Sequence, residues 1–242
     1  MLYMFFKSQH DHVRTHVVQD SHFPSTIPLT LFFISDIHNR IIKEGTLSQV
    51  KEVDLIIIGG DLVDKRTSLE KLRTNLDKLR HFQVPIYFVP GNNDHELKES
   101  ELLEVLTEFS IQVLSNEDDV FEHKDGSPLM LSGMDPYFLR PRHTMAQIHH
   151  SDCFQILCVH DPFVYERMNK KDQKRFHLVL SGHTHGGQIR FLGFGPYKRG
   201  GFRTYASRHL LVSEGYGTSV WPLRLGTTAE CHILTIRRPS GL

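Results

Sequence analysis

Five short polar clusters carry residues of the types that bind metal ions and activate water. They are Asp36-Ile37-His38, Gly60-Asp61-Leu62-Val63-Asp64, Gly91-Asn92-Asn93-Asp94-His95, Val159-His160-Asp161 and Ser181-Gly182-His183-Thr184-His185-Gly186-Gly187-Gln188. Carboxylates, amides and imidazoles are oxygen and nitrogen donors, a mixture that suits Mn²⁺, Fe, Zn²⁺ or Ni²⁺ and disfavours metals that select thiolates. Each cluster alone says little. A lone Asp-x-His or His-x-His is common, an Asp after Gly-Gly usually caps a helix, and a His after a strand is more often a structural hydrogen-bonding residue. The information lies in their conjunction, because every cluster ends an apolar run of strand length, and loops after strand C-termini are where α/β proteins build sites.

The runs that position these clusters are Leu29–Ser35, Leu55–Ile58 and Ile86–Val89, short and rich in β-branched and aromatic residues, as strands buried on both faces are. Leu69, Leu72, Leu76 and Leu79 recur at helical spacing between them, and Glu101–Phe109 reads as a second helix. The second half is richer in strands, with Ser127–Gly133, Phe154–Val159, Leu178–Ser181, Leu210–Ser213 and Cys231–Ile236. A helix is expected before the Phe154 run and another over Tyr165–Phe176, and His12–Val18 alternates mildly like a strand. This order argues for α/β layering. No repeat, low-complexity tract or long linker divides the chain, so one domain over 1–242 is expected, with its core at about 29–236.

Composition bounds the partners. Lys plus Arg and Asp plus Glu are 28 each, which removes any bulk electrostatic case for nucleic acid or an anionic membrane. Three cysteines without metal spacing fit a reducing compartment and hence a cytoplasmic protein. The apolar Met1–Phe6 is broken by Lys7 and is too short to span a bilayer or form a signal peptide, which leaves weak surface contact with a membrane open. There is no GxSxG elbow for serine nucleophile catalysis.

Taken together, D-x-H, G-D-x-x-D, G-N-x-D, a later His and G-H-x-H resemble the calcineurin-like metallophosphoesterase superfamily over residues from about 29 to 190. The extended Gly182–Gln188 motif, Ser213–Gly217 and Pro222-Leu223-Arg224 resemble a branch of bacterial single-domain phosphodiesterases, which widens the match to nearly the whole chain. The resemblance implies a four-layer αββα sandwich of two mixed sheets flanked by helices. It also implies two divalent ions. Asp36, His38 and His185 would hold the first, Asn92, His160 and His183 the second, and Asp61 would bridge them. A bridging water acidified by both ions would attack phosphorus in line. On an extended segment, His183 and His185 would point the same way, with Thr184 turned away.

Several roles stay open at this point. Asp64 either orients a ligand imidazole or caps a helix, and Asp161 has the same two readings. Asn93 stands where many relatives carry the His thought to protonate the leaving oxygen, and an amide supplies no acidic proton. His95 either replaces that acid or is an exposed loop residue. Diesters and pyrophosphates are therefore expected to be better substrates than alkyl monoesters. Residues 193–201 form a Gly-rich, basic and aromatic segment that could receive a phosphate-bearing substrate through Lys198, Arg199 and nearby Arg203, or simply connect strands. Arg224 either binds phosphate or packs. The alternatives to a phosphodiesterase acting on a small or polymeric diester are a phosphomonoesterase or protein phosphatase on the same ions, and a catalytically silent scaffold.

Overall fold

The computed structural model describes residues 1–135, 153–205 and 208–239. Its strands are β1 (Asp11–Gln19), β2 (Leu29–Ile34), β3 (Leu55–Ile58), β4 (Ile86–Phe88), β5 (Gln112–Val113), β6 (Asp118–Glu122), β7 (Pro128–Met134), β8 (Phe154–Val159), β9 (Leu178–Ser181), β10 (Gly201–Tyr205), β11 (Arg208–Val212) and β12 (Ala229–Arg237). The helices are α1 (Leu2–Gln9), α2 (Glu44–Leu47), α3 (Leu69–Arg80), α4 (Glu99–Glu108), α5 (Pro162–Arg167) and α6 (Lys170–Gln173). They build two mixed six-stranded sheets, ordered β1-β12-β2-β3-β4-β5 and β10-β11-β9-β8-β7-β6.

Side-chain alternation explains the layers. Leu31 and Phe33 of β2 and Leu55 and Ile57 of β3 face one way, meeting Leu129, Phe154, Ile156 and Leu180 of the other sheet in a shared core. Their neighbours Phe32, Ile34, Ile56 and Ile58 face the opposite way and pack on Leu72, Leu76 and Leu79 of α3 and on Leu102, Val105 and Leu106 of α4. On the far side of the second sheet, Leu157, Val159 and Val179 meet Tyr165 and Phe176. Both faces of the central strands are thus buried, which is why they read as unbroken apolar runs. The result is an αββα sandwich.

Three features differ from the sequence reading. The Tyr165–Phe176 helix is two short ones, because Met168 and Asn169 are extended and the Asn169 side chain accepts from the Asp172 N–H to start α6. Residues 201–205 form strand β10, so Arg203 stands on an edge strand and not in the loop. Residues 2–9 are a helix tied to the body through Ser8, whose hydroxyl donates to the Pro222 carbonyl at 2.7 Å. The helix expected before β8 lies outside the described residues. No helix among the described residues is long and apolar enough to cross a membrane.

Candidate metal centre

Parallel pairing of β2, β3 and β4, and of β8 and β9, puts the loops after these strands at the same ends of the two sheets. The loops are then laced together. The Asp36 N–H donates to the Gly60 carbonyl at 2.9 Å, the His38 N–H to the Asp61 carbonyl at 3.0 Å, and the Gly182 N–H to the His160 carbonyl at 2.9 Å. Packing this tight needs glycine at particular points. A Cβ on Gly91 would lie 2.4 Å from Asp61 Oδ1, and one on Gly182 2.3 Å from Asp36 Oδ2. Asp36, His38, Asp61, His183 and His185 all have φ between 47° and 68°, a left-handed conformation that costs non-glycine residues about 1–3 kcal/mol each and is retained where surrounding structure enforces it.

Two three-residue clusters result. Asp36, His38 and His185 form one, and Asp61, His160 and His183 the other, each with its donor atoms within 4.8 Å of one another. His38 Nε2 and His185 Nε2 are 3.2 Å apart, and His185 Nε2 is 3.4 Å from Asp36 Oδ1. Asp61 Oδ2 stands 3.2 Å from His160 Nε2 and 3.7 Å from His38 Nε2, so this oxygen reaches both clusters. The other Asp61 oxygen is fixed by the Asn93 N–H at 2.8 Å. The Asn92 amide nitrogen donates to Asn93 Oδ1, while its own Oδ1 is buried with no hydrogen-bond partner among the described residues.

His183 and His185 do not reach their clusters by sharing one face of an extended segment. Both sit at positive φ around an αR Thr184, and a 3₁₀ turn follows over His185–Gly187. The reversed backbone sends the two imidazoles to different clusters.

The electrostatics favour cations. Burial opposes charge on Asp61, yet His160, His38 and the Asn93 N–H hold its carboxyl well below the usual range. Burial likewise opposes charge on His160, but Asp61 and Asp36 push it up to about 10. His185 goes the other way. Burial, with His38 and Arg224 and against Asp36, pushes it down to about 3 and keeps it a neutral donor. Asp36 Oδ2 and Asn92 Oδ1 are buried without hydrogen-bond partners among the described residues, a state that costs about 1–3 kcal/mol per group unless something else satisfies it. Orphaned oxygen donors beside clustered imidazoles fit divalent ions.

The other expected residues fall in three places. Asp64 Oδ2 lies 3.5 Å from His38 Nδ1, and its carboxylate takes a forked contact from Arg66, which also donates to the Val220 and Thr218 carbonyls. It does not cap α3. Ser68 does, accepting from the Lys71 N–H. Asp161 caps α5, accepting from the Phe163 N–H at 2.9 Å. His95 lines a pocket with Phe88, Leu102 and Val113 that none of the seven expected ligands lines, its Nε2 3.8 Å from Asp135 Oδ1.

Of the four cationic residues, Arg224 is fully buried. One nitrogen of its guanidinium donates to the carbonyls of Glu214, Gly215 and Gly217 at 2.6–2.9 Å and lies 3.3 Å from His185 Nδ1. It supports the backbone beneath His185. Arg199 is held by Glu214, Nε to Oε1 at 2.6 Å. Lys198 and Arg203 are exposed and line a cavity of about 450 Å³, together with Tyr197, Ser181 and Thr184. The Tyr197 ring lies 6.2 Å from that of His183, which joins this cavity to the second cluster.

Sequence reasoning assigned Asp94 no role. Fully buried, it accepts from the backbone N–H groups of Asp61, Gly91 and Val63 at 2.7–3.0 Å and so clamps two ligand loops together. Burial and the Asp61 carboxylate push its pKa up to about 8, against the pull of those N–H groups. Its signal was the last letter of G-N-x-D. A further Asp20, His22 and His177 cluster has different chemistry, since His177 Nδ1 accepts the Gln155 N–H and leaves Nε2 as the protonated nitrogen, a donor and not a metal ligand.

Comparison with known proteins agrees with this geometry. The profile of the family described as calcineurin-like phosphoesterase matches residues 29–187. The Bacillus subtilis (strain 168) protein YpbG is 38% identical over 240 residues, covering 98% of this chain and 92% of that protein. A Helicobacter pylori (strain J99) metallophosphoesterase is 30% identical, over 83% of this chain and 55% of its own length. The B. subtilis metallophosphoesterase YkuE is 28% identical, over 85% and 74% respectively. The chain belongs to the calcineurin-like phosphoesterase family.

Proposed function

We propose that this chain is a phosphodiesterase dependent on two divalent ions. The observation that carries the reading is Asp61 Oδ2, within 3.7 Å of an imidazole nitrogen from each cluster and so placed to be shared. Asp36, His38 and His185 would hold one ion, Asn92, His160 and His183 the other, with Asp61 common to both. When bound, such a pair supplies Lewis acidity at the phosphoryl oxygens and a water acidified enough to attack near neutral pH. The donor set suits Mn²⁺, Fe, Zn²⁺ or Ni²⁺, and Mn²⁺ is our choice for assay. The Gly182–Gln188 motif is our reason for placing the chain with bacterial single-domain phosphodiesterases. Three free, buried thiols fit a reducing compartment, and we assign the protein to the cytoplasm.

The chain's own residues then do three things. Asp64 orients His38 through its Nδ1. Lys198 and Arg203 draw the phosphate-bearing substrate into the cavity beside His183. Asn93 withholds a proton. Its amide is engaged by Asn92 and Glu96, and His95 points into a different pocket, so neither protonates a departing alkoxide. General acid catalysis contributes roughly 10²–10⁴-fold, and the poorest leaving groups lose most without it. With Mn²⁺ present, bis(p-nitrophenyl) phosphate is expected to be hydrolysed with kcat/KM about 10²-fold above that for glycerol phosphate. The reverse preference would make the protein a monoesterase, and no metal-stimulated turnover of either would make it a scaffold.

A further inference from the structure

Helix α1 is inside out. Its buried residue is Ser8, while Leu2 is 85% exposed and Phe5 and Phe6 also face solvent. A helix resting on a globular body in water normally does the opposite. The same inversion recurs in two loops, one bound to α1 and the other bound to that loop. The Phe191 and Phe194 N–H groups donate to each other's carbonyls at 2.9 Å, and between them Leu192 (φ 49°) and Gly193 (φ 86°) make a two-residue turn of the kind that tips tight hairpins. This turn holds Leu192 and Phe194 in solvent, each 82% exposed. Arg190 braces it by donating to the Gly186, Gly193 and Tyr197 carbonyls. Trp221, 69% exposed, tops the third segment beside Val220.

Hydrogen bonds join the three segments into one surface. The Arg224 N–H donates to the Met4 carbonyl and Ser8 Oγ to the Pro222 carbonyl, which ties α1 to residues 222–224. Gln188 donates to the Ser219 and Trp221 carbonyls, and the Arg190 N–H to the Leu225 carbonyl, which ties that segment to the hairpin. The surface borders the metal centre on two sides, through Tyr197 against His183 and through Arg66, which bridges Val220 to Asp64. Its three segments carry cations and no carboxylates of their own, with Glu44 near Ser8 and Pro222 and Glu166 near Lys198 and Arg203 at the margin. Asp and Glu number 28 in the chain, yet none falls in residues 1–10, 182–207 or 215–229, which carry Lys7, Lys198 and Arg203.

We propose that α1, the Phe191–Phe194 turn and the Val220-Trp221 loop form one face that docks on an anionic lipid bilayer, holding the metal centre at the level of the phosphate headgroups. Exposed aliphatic and aromatic side chains enter the interface, with Trp221 and Tyr197 at headgroup depth. Lysine and arginine beside them meet anionic lipid. Glu44 and Glu166 stand at the margin, so the cations of the three segments set the sign of that contact. Rigid display of the hairpin tip lowers the ordering cost of insertion. The docking stands on the surface alone. That the substrate is a lipid-borne phosphodiester or pyrophosphate rests on the phosphodiesterase reading.

Co-sedimentation of the full chain with vesicles tests it, using phosphatidylcholine mixed with phosphatidylglycerol against phosphatidylcholine alone. Wild type is expected to partition onto the anionic vesicles and far less onto neutral ones. The pairs Leu192→Ser with Phe194→Ser, and Leu2→Ser with Phe6→Ser, should each lower partition about tenfold or more, since removing two buried apolar side chains exceeds the 1.4 kcal/mol of one decade. Turnover of soluble bis(p-nitrophenyl) phosphate should stay unchanged in both pairs, showing intact folding. Three results would overturn the proposal: wild type left in the supernatant, paired variants that bind like wild type, or a dimer on size exclusion that these substitutions dissociate while no lipid is bound. Wild type that binds anionic vesicles but hydrolyses no diester would leave the docking standing and remove the phosphodiesterase reading. Diester hydrolysis without vesicle binding would do the reverse.

Discussion

Asp61→Ala is expected to lower phosphodiester hydrolysis at least about 10³-fold. The carboxylate does two jobs that no neighbour duplicates. Oδ1 takes the Asn93 N–H and fixes the loop that carries Asn92, while Oδ2 faces His38 on one side and His160 on the other. Alanine removes the shared oxygen from both clusters and leaves two buried imidazoles facing each other without the anion between them. Losing about 4 kcal/mol of charge stabilisation in a site of this kind corresponds to some three decades in rate. The check is steady-state turnover of bis(p-nitrophenyl) phosphate with added Mn²⁺, beside a circular-dichroism melt to show that the variant folds. Turnover within tenfold of wild type would remove Asp61 from the chemistry.

Asp94→Ala should be the most destabilising single change near the centre. Its carboxylate accepts three backbone N–H groups from two loops and is itself buried. Each donor left buried and unpaired costs about 1–3 kcal/mol, so a total near 3 kcal/mol is a conservative expectation once relaxation is allowed for. At roughly 2–4 °C per kcal/mol for a chain of this size, Tm should fall about 6–12 °C. Hydrolysis should fall too, because Asp61 N and Gly91 N are the anchors of the two loops that meet at the bridge. Asp94→Asn keeps one acceptor oxygen and should lie between. A Tm within about 2 °C of wild type for the alanine variant would show that the clamp is not what holds the loops together.

The sheets and the positions of the ligand loops were legible in the sequence for a physical reason. Strands buried on both faces, such as Leu55–Ile58, must be apolar throughout, and the chain must turn polar where it leaves the sheet. The spacing of Leu72, Leu76 and Leu79 showed α3 for the same reason, one face meeting one core. What stayed hidden depends on contacts between distant residues. Nothing local marks Arg224 as a buried support, because its acceptors are carbonyls brought to it by the turn at Gly215–Gly217. That His183 and His185 reach their expected clusters through a reversed backbone, and not from one face of an extended segment, follows from positive φ at both, which the intervening Thr184 does not betray. Strand β10 is an edge strand with exposed side chains, so it lacks the apolar run that revealed the others. Helix α1 deceived in another way. Its apolar residues are plain in the sequence, but that they face outward is a property of the surface on which it rests.

Metal content tests the paired site most directly. After loading with Mn²⁺ and removal of the excess, elemental analysis should find two ions per wild-type chain. The Asp61→Ala chain should retain neither through the same wash, since both clusters lose their common oxygen. Wild type without bound metal, or a stoichiometry that Asp61→Ala leaves unchanged, would contradict the claim that these loops converge to hold a pair of cations.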